Sequence, residues 1–203
     1  MKDLYNLFRQ SLAGLRVLIA ATLLLGVAYP VAVYGAAAVA APWKSYGSLV
    51  TGTGAHTTDA DKAVGSALLG QKFGDDKLFQ NRPSAAGDGY DAAASSGSNY
   101  GPENEDLIAA IEERQAAIAA LDGVERADIP ADGVTASGSG LDADISVAYA
   151  QLQVERVAEA RGIRPDEVRD LVAAHVQPRD WGYLGEPRVN VLELNLALDA
   201  LDR

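Results

Sequence analysis

Between Arg16 and Lys44 the chain carries no charge. Val17–Ala41 is a run of 25 residues, apolar apart from Thr22 and two tyrosines. About 20 apolar residues in a helix cross the ~30 Å hydrocarbon core of a bilayer. The run predicts one transmembrane helix over residues 17–41, a short basic segment over 1–16, and a folded domain over 42–203. Pro30 lacks an N–H and predicts a kink or an opened turn within the span. Leu23, Leu24 and Leu25 crowd the first half, whereas Ala28, Ala32, Ala36 and Ala40 recur every fourth residue in the second. Small residues at that spacing share a face and let another helix approach closely, so these four alanines are candidate partner-binding residues in the membrane. Trp43 and Tyr46 follow where amphipathic rings favour the interface.

Beyond the span the pattern is mixed. Residues 47–62 open with a short strand and become a loop, and Val64–Gln71 predicts a second strand. Phe79–Pro102 is polar and without periodicity, a length of loop that in a compact domain is usually either functional or a mistaken assignment of its elements. Asn104 caps a helix reaching about Leu121, with Leu107, Ile108, Ile111 and Ile118 as its apolar stripe. Val134–Asp142 is a Gly/Ser turn segment. Ser146 caps the next helix, which buries Ala150, Val154, Val157 and Ala158 and stops at Gly162. Pro165 opens a third, with Asp166 and Glu167 at the positive end of its dipole and Val168, Leu171 and Val172 inward. Val189–Leu201 nearly alternates like a strand. Asn190 with Glu193 is nevertheless a capping-box pattern, and Val191, Leu194, Leu198 and Leu201 share a helical face, which favours helix. The predicted fold is a single N-terminal transmembrane helix followed by one α+β extracytoplasmic domain.

Charge supports that placement. Residues 1–44 hold four basic side chains against Asp3, a net +3, which leaves −14 for the rest of a chain of −11. Lys2, Arg9 and Arg16 precede the span and only Lys44 follows it closely. The positive-inside rule therefore puts the N-terminus in the cytoplasm and the domain outside the cell or inner membrane. A cleaved signal peptide is the competing reading, but its apolar core normally runs 7–15 residues. So acidic a domain lacks the basic footprint that nucleic acid requires. With no cysteine in the chain, disulfides, zinc-thiolate sites and thiol catalysis are excluded.

Motifs for chemistry nearly match and then fail. Gly65–Lys72 has P-loop glycine spacing, but Gln71 stands where the lysine must be. Gly138-Ser139-Gly140-Leu141-Asp142-Ala143 fits a loose dinucleotide pattern without a βαβ unit around it. The only histidines, His56 and His175, make a poor metal set, and His175 falls in a helical last turn where positive charge is stabilising. A triad of a serine, Asp142 and His175 is conceivable, but abundant serine makes that coincidence cheap. One span cannot form a pore. The residues alone give a membrane-anchored accessory domain; the alternative is an anchored extracytoplasmic hydrolase or binding protein.

A set of short motifs adds to this. Tyr29-Pro30 lies in the span, then come Pro42-Trp43, Gly47-Ser48-Leu49-Val50, Gly65-Ser66, Leu69-Gly70-Gln71 and Asn81-Arg82-Pro83-Ser84-Ala85. Gly97-Ser98-Asn99-Tyr100-Gly101-Pro102 precedes the segment from Val134 to Asp142. Arg156-Val157-Ala158, Ala160-Arg161-Gly162 and the run from Leu184 to Asp199 complete the series. In this order, over nearly the whole chain, it resembles the C-subunit family of the Kdp potassium-transporting P-type ATPase.

The resemblance implies a non-catalytic subunit that lacks the catalytic aspartate of the pump. Its partners would be a potassium-translocating subunit, an ATP-hydrolysing P-type subunit and a small single-span subunit, embedded together in membrane lipid. ATP and potassium would be handled by those partners, with no cofactor or metal bound here directly. The family is described as an assembly factor near the potassium entrance and as a catalytic chaperone that raises the pump subunit's affinity for ATP. A domain outside the cell reaches cytoplasmic ATP only indirectly, through the membrane helices. Arg82 and the loop residues Ser137, Gly138, Ser139, Gly140 and Asp142 are then candidates for partner binding or for structuring the loops. The acidity reads as a solvated surface or a salt adaptation, since screening at ~0.15 M salt, with a Debye length of about 8 Å, weakens any gathering of potassium.

Overall fold

The computed structural model describes residues 2–201. Two compact units meet between Gly47 and Ser48. In the first, helix α1 (Lys2–Leu23) passes through a π-helical turn (Leu24–Ala28) into α2 (Tyr29–Ala40), and a short α3 (Pro42–Ser45) follows. The helical stretch Lys2–Ala40 is 39 residues long, which at 1.5 Å per residue is roughly 58 Å, well beyond the hydrocarbon thickness. None of its described side chains is buried within the chain. The expected opened turn lies just before Pro30. Proline cannot donate to the carbonyl four residues back and its ring crowds that carbonyl. The π turn widens the helix there, with Tyr29 N–H donating to the Leu24 carbonyl, five residues back.

The second unit is a mixed helix/sheet domain. Strand β1 (Leu49–Thr51) lies between β2 (His56–Thr57) and β3 (Ala63–Ser66) in an antiparallel sheet. The expected strand over Val64–Gln71 is therefore shorter and earlier: pairing ends at Ser66, whose hydroxyl accepts the Leu68 N–H and turns the chain. After the long irregular segment come α4 (Glu105–Asp122), α5 (Ala131–Val134), β4 (Asp144–Ser146), α6 (Val147–Leu152), α7 (Val154–Arg161) and α8 (Pro165–Ala174). Next are β5 (Val176–Gln177), β6 (Arg188–Asn190) and α9 (Val191–Leu201). The second sheet, in the order β4-β6-β5, is antiparallel and pairs Ile145 and Val176 with Val189.

Local signals explain the helix ends. Asn104 Oδ1 accepts the Asp106 and Leu107 N–H groups, and Ser146 Oγ accepts that of Tyr149. Gly162 ends α7 at φ +68°, a left-handed cap that glycine takes without strain. Val154, Val157, Val168, Val172, Val189, Leu194 and Leu198 join Phe79 and Ile145 in one core.

Three expectations change. The helix capped by Ser146 is broken at Gln153, whose fully buried side chain reaches across to the backbone of Gln80. Ile108 is 48% exposed, because α4 packs on the core only from Ile111 onward, through Ile111, Ile118 and Ala119. The ambiguous run divides: Val189 belongs to strand β6, and the helix begins at Val191 with Asn190 Oδ1 accepting the Glu193 N–H. The alternation and the cap were both real, in succession.

Candidate functional site

Arg82 is the link between two long polar loops. The side chain of Gln153 fixes the loop upstream, since its carbonyl accepts the Gln80 N–H at 2.7 Å. Asn195 on α9 binds both backbone groups of Phe79, at 2.8 and 3.0 Å. Arg82, directly beyond, sends Nη1 to Asp142 Oδ2 at 3.0 Å and Nη2 to the Thr135 carbonyl at 3.4 Å. Its own carbonyl accepts the hydroxyl of Tyr90 at 2.6 Å. Burial pushes the Tyr90 phenol above its ordinary value and keeps it a neutral donor.

The Gly/Ser segment is tied to the same framework. Ser84 Oγ donates to the Gly140 carbonyl and accepts the Ala86 and Tyr90 N–H groups. Ser137 N–H donates to the Pro83 carbonyl at 3.0 Å, and Ser139 O accepts from the N–H of Ser96 and the hydroxyl of Ser95. Inside the segment, Ser137 Oγ accepts the Ser139 and Gly140 N–H groups and lies 3.0 Å from Ser139 Oγ. Gly140 sits at φ +69°, and a Cβ there would lie 2.6 Å from the Ser96 carbonyl oxygen. Gly97 packs closely on the same segment, since a Cβ there would lie 2.9 Å from the Gly138 carbonyl oxygen, whereas a Cβ on Gly138 would meet nothing within 4 Å. A third loop joins at Gly70, whose N–H donates to the Leu141 carbonyl at 2.8 Å.

A cleft of about 370 Å³ opens beside this junction, lined by Arg82, Asp132, Asp142, Asp144, Ser146 and Arg188 among others. Arg188 Nε stands 3.2 Å from Asp144 Oδ2. Burial raises the Asp144 carboxyl above the usual range, and the neighbouring Asp142 charge adds to this. Asp132 holds both the N–H and hydroxyl of Ser146 at 2.7 and 2.8 Å. The cleft thus offers paired charges rather than an activated nucleophile.

Other sequence candidates lie elsewhere. His56 and His175 both line a separate cavity of about 440 Å³ with Glu193. The His175 ring, at Nδ1, is 2.8 Å from the Leu171 carbonyl oxygen. The conceivable triad with Asp142 is therefore not assembled, because His175 lies in that other cavity. The P-loop spacing is also empty of its chemistry: Gly65 lies in β3, and the Gln71 amide occupies the space beside it. The dinucleotide pattern runs into strand β4 instead of opening a helix, so no helix terminus faces its glycines. Ala28 closes the π turn, and Ala32, Ala36 and Ala40 follow along α2, all four exposed within the chain. Ser84 and Arg188 lie in motifs that carry the family resemblance without being singled out there as site residues, and Tyr90 at the junction has no local signal.

One membrane-length apolar helix carrying one mixed helix/sheet domain defines a membrane-anchored protein of simple architecture. The KdpC family model, described as K+-transporting ATPase, c chain, matches residues 11–200, and the chain belongs to that family. Similar proteins include the potassium-transporting ATPase KdpC subunit of Kineococcus radiotolerans, 51% identical over 96% of this chain and 95% of its own. That of Caulobacter vibrioides is 55% identical over 88% and 87%. That of Mycobacterium bovis is 48% identical over 95% and 99%.

Proposed function

We propose that this chain is the accessory C subunit of an ATP-driven potassium importer. The observation that carries the reading is the family match over residues 11–200, which takes in both the apolar helix and the domain. In this reading the N-terminus is cytoplasmic, the helix spans the membrane once, and the domain stands outside near the potassium entrance, as the +3 of residues 1–44 favours. The chain itself is not an enzyme. It holds together a potassium-translocating subunit, an ATP-hydrolysing P-type subunit and a small single-span subunit.

Two features support a structural role. The face of Ala28, Ala32, Ala36 and Ala40 is smooth enough for a partner helix to approach closely. The loop at Ser137–Asp142 spends its hydroxyls and backbone groups on its own neighbours, chiefly Ser84, Ser95, Ser96 and Arg82, and so serves to structure the domain. A catalytic-chaperone effect on ATP affinity is then indirect, transmitted through the membrane helices.

The test is a paired substitution. Ala32→Leu with Ala36→Leu adds bulk to the small-residue face while leaving the chain apolar enough to insert. The altered chain is expected in the membrane fraction but no longer co-purifying with the multispan and P-type subunits. Undiminished co-purification would refute the docking face.

A further inference from the structure

The strands β5 and β6 are joined by ten residues, 178–187, every one of them exposed. This connection is a built hairpin. Asp180 and Leu184 exchange two backbone hydrogen bonds of 2.9 Å, and the Gly182 and Tyr183 N–H groups donate back to the Arg179 and Asp180 carbonyls at 3.0 and 3.3 Å. Arg179 pairs with Glu186 at 2.5 Å, and Arg188 reaches Asp180 at 3.5 Å, bracing both sides. The tip carries Trp181, Tyr183 and Leu184 at 84, 68 and 50% exposure, with the two rings 6.5 Å apart. Large apolar side chains held out on an ordered backbone are a costly arrangement for a solvated surface. Aromatic anchors of this kind dominate protein interfaces, and a preformed loop loses little freedom on docking.

We infer that the 178–187 hairpin is a docking knob, with Trp181 and Tyr183 as its anchors, for an apolar pocket with a neutral or basic rim on another protein subunit. This rests on the subunit reading above. Charge selects the occupant. The two arginines and two carboxylates at the base of the tip cancel one another, and the domain around it carries −14. An anionic bilayer surface attracts clustered lysine and arginine; this region offers no net positive charge and belongs to an acidic domain that such a surface repels. A protein pocket can bury the rings and meet the surrounding acidity with its own basic rim.

The chain has no cysteine, so one introduced at the tip is unique and can be followed by a mass shift of this chain alone. Leu184→Cys, at the tip beside the two anchors, is labelled with a polar maleimide in the full-length chain in detergent, in vesicles of phosphatidylglycerol and phosphatidylcholine, and in the purified assembled complex. Asp88→Cys, on an exposed loop, is the reference. Labelling at 184 is expected to be fast in detergent and in vesicles, and slower by at least about tenfold in the complex, as where an interface core excludes water. Position 88 should stay fast in all three. A companion variant, Trp181→Gly, suits the left-handed backbone at φ 53° and removes only the indole. It should weaken association with the other subunits about thirtyfold, the scale of a lost aromatic anchor, with an unchanged far-UV spectrum.

Equal labelling of position 184 in the complex and in detergent overturns the inference. Protection already present in vesicles overturns it in favour of lipid. If the unaltered chain fails to associate with the ATPase subunits, the subunit reading fails first and the inference falls with it. Assembly that persists with a freely labelled tip removes only the knob.

Discussion

Arg156 offers the sharpest test of how the domain is held together. Its side chain is 6% exposed and pairs with Asp122, at the end of α4, across 2.6 Å; the Asp122 side chain is 1% exposed. The same guanidinium binds the carbonyls of Asp76 and Leu78 and the amide oxygen of Gln153. Arg156→Ala strands a buried carboxylate and unpairs those acceptors, a loss of about 3–5 kcal/mol for a broken buried pair. A domain of this size typically has 5–15 kcal/mol in hand. With a urea slope of about 2 kcal/mol/M, the unfolding midpoint should fall by about 2 M.

The loss should also depend on pH. Burial raises the Asp122 carboxyl above its ordinary value, although Arg156 pulls it down. A raised carboxyl favours the folded state most fully below the unfolded value, near 3.9, and that contribution is lost as pH rises through the folded value. Removing Arg156 raises the folded value further, so the variant's deficit is largest at neutral pH and shrinks on acidification, where a protonated Asp122 needs no cation. The assay is urea unfolding of the full-length chain in mild detergent, followed by far-UV circular dichroism at pH 7.5 and 4.5. A deficit under about 1 kcal/mol at pH 7.5, the range of exposed pairs, would refute the argument. So would a deficit that grows on acidification.

Two further substitutions probe the loops. Asn195→Leu is nearly matched in volume but orphans the N–H and carbonyl of Phe79, and should cost about 2–4 kcal/mol in the same unfolding assay; a loss within about 0.5 kcal/mol would mean that water restores both bonds. Gly140→Ala places a methyl against the Ser96 carbonyl at φ +69°, so the melting temperature should drop by several degrees, on the order of 1–3 kcal/mol; an unchanged melting curve would show that the loops are free to separate.

What could be read from the sequence follows the range of the forces involved. Asn104, Ser146, Gly162 and Pro165 act on backbone groups within four residues, so their helix ends were visible in the chain itself. The interruption at Gln153 was not, because its cause is Gln80, 73 residues away. Ile108 obeyed the helical period, yet periodicity says nothing of how far the core extends along a helix. Arg82, Ser137, Ser139, Gly140 and Asp142 could be singled out from the motifs they share with the family. The bonds that join Arg82 and Ser84 to the segment 135–142 span 53 to 60 residues and depend on the tertiary fold. Tyr90 carried no local mark, nor did the exposed Trp181, whose setting emerges only when the strands on either side pair.

The π turn at Leu24–Ala28 gives the helix a rotational offset. One residue taken into a wider turn sets the segments on either side out of phase by about 100° relative to an unbroken α-helix. The leucines before it and the alanines after it therefore do not lie where a single helical wheel would draw them. The offset turns the leucine stripe and the alanine stripe to directions that an unbroken helix would not give them.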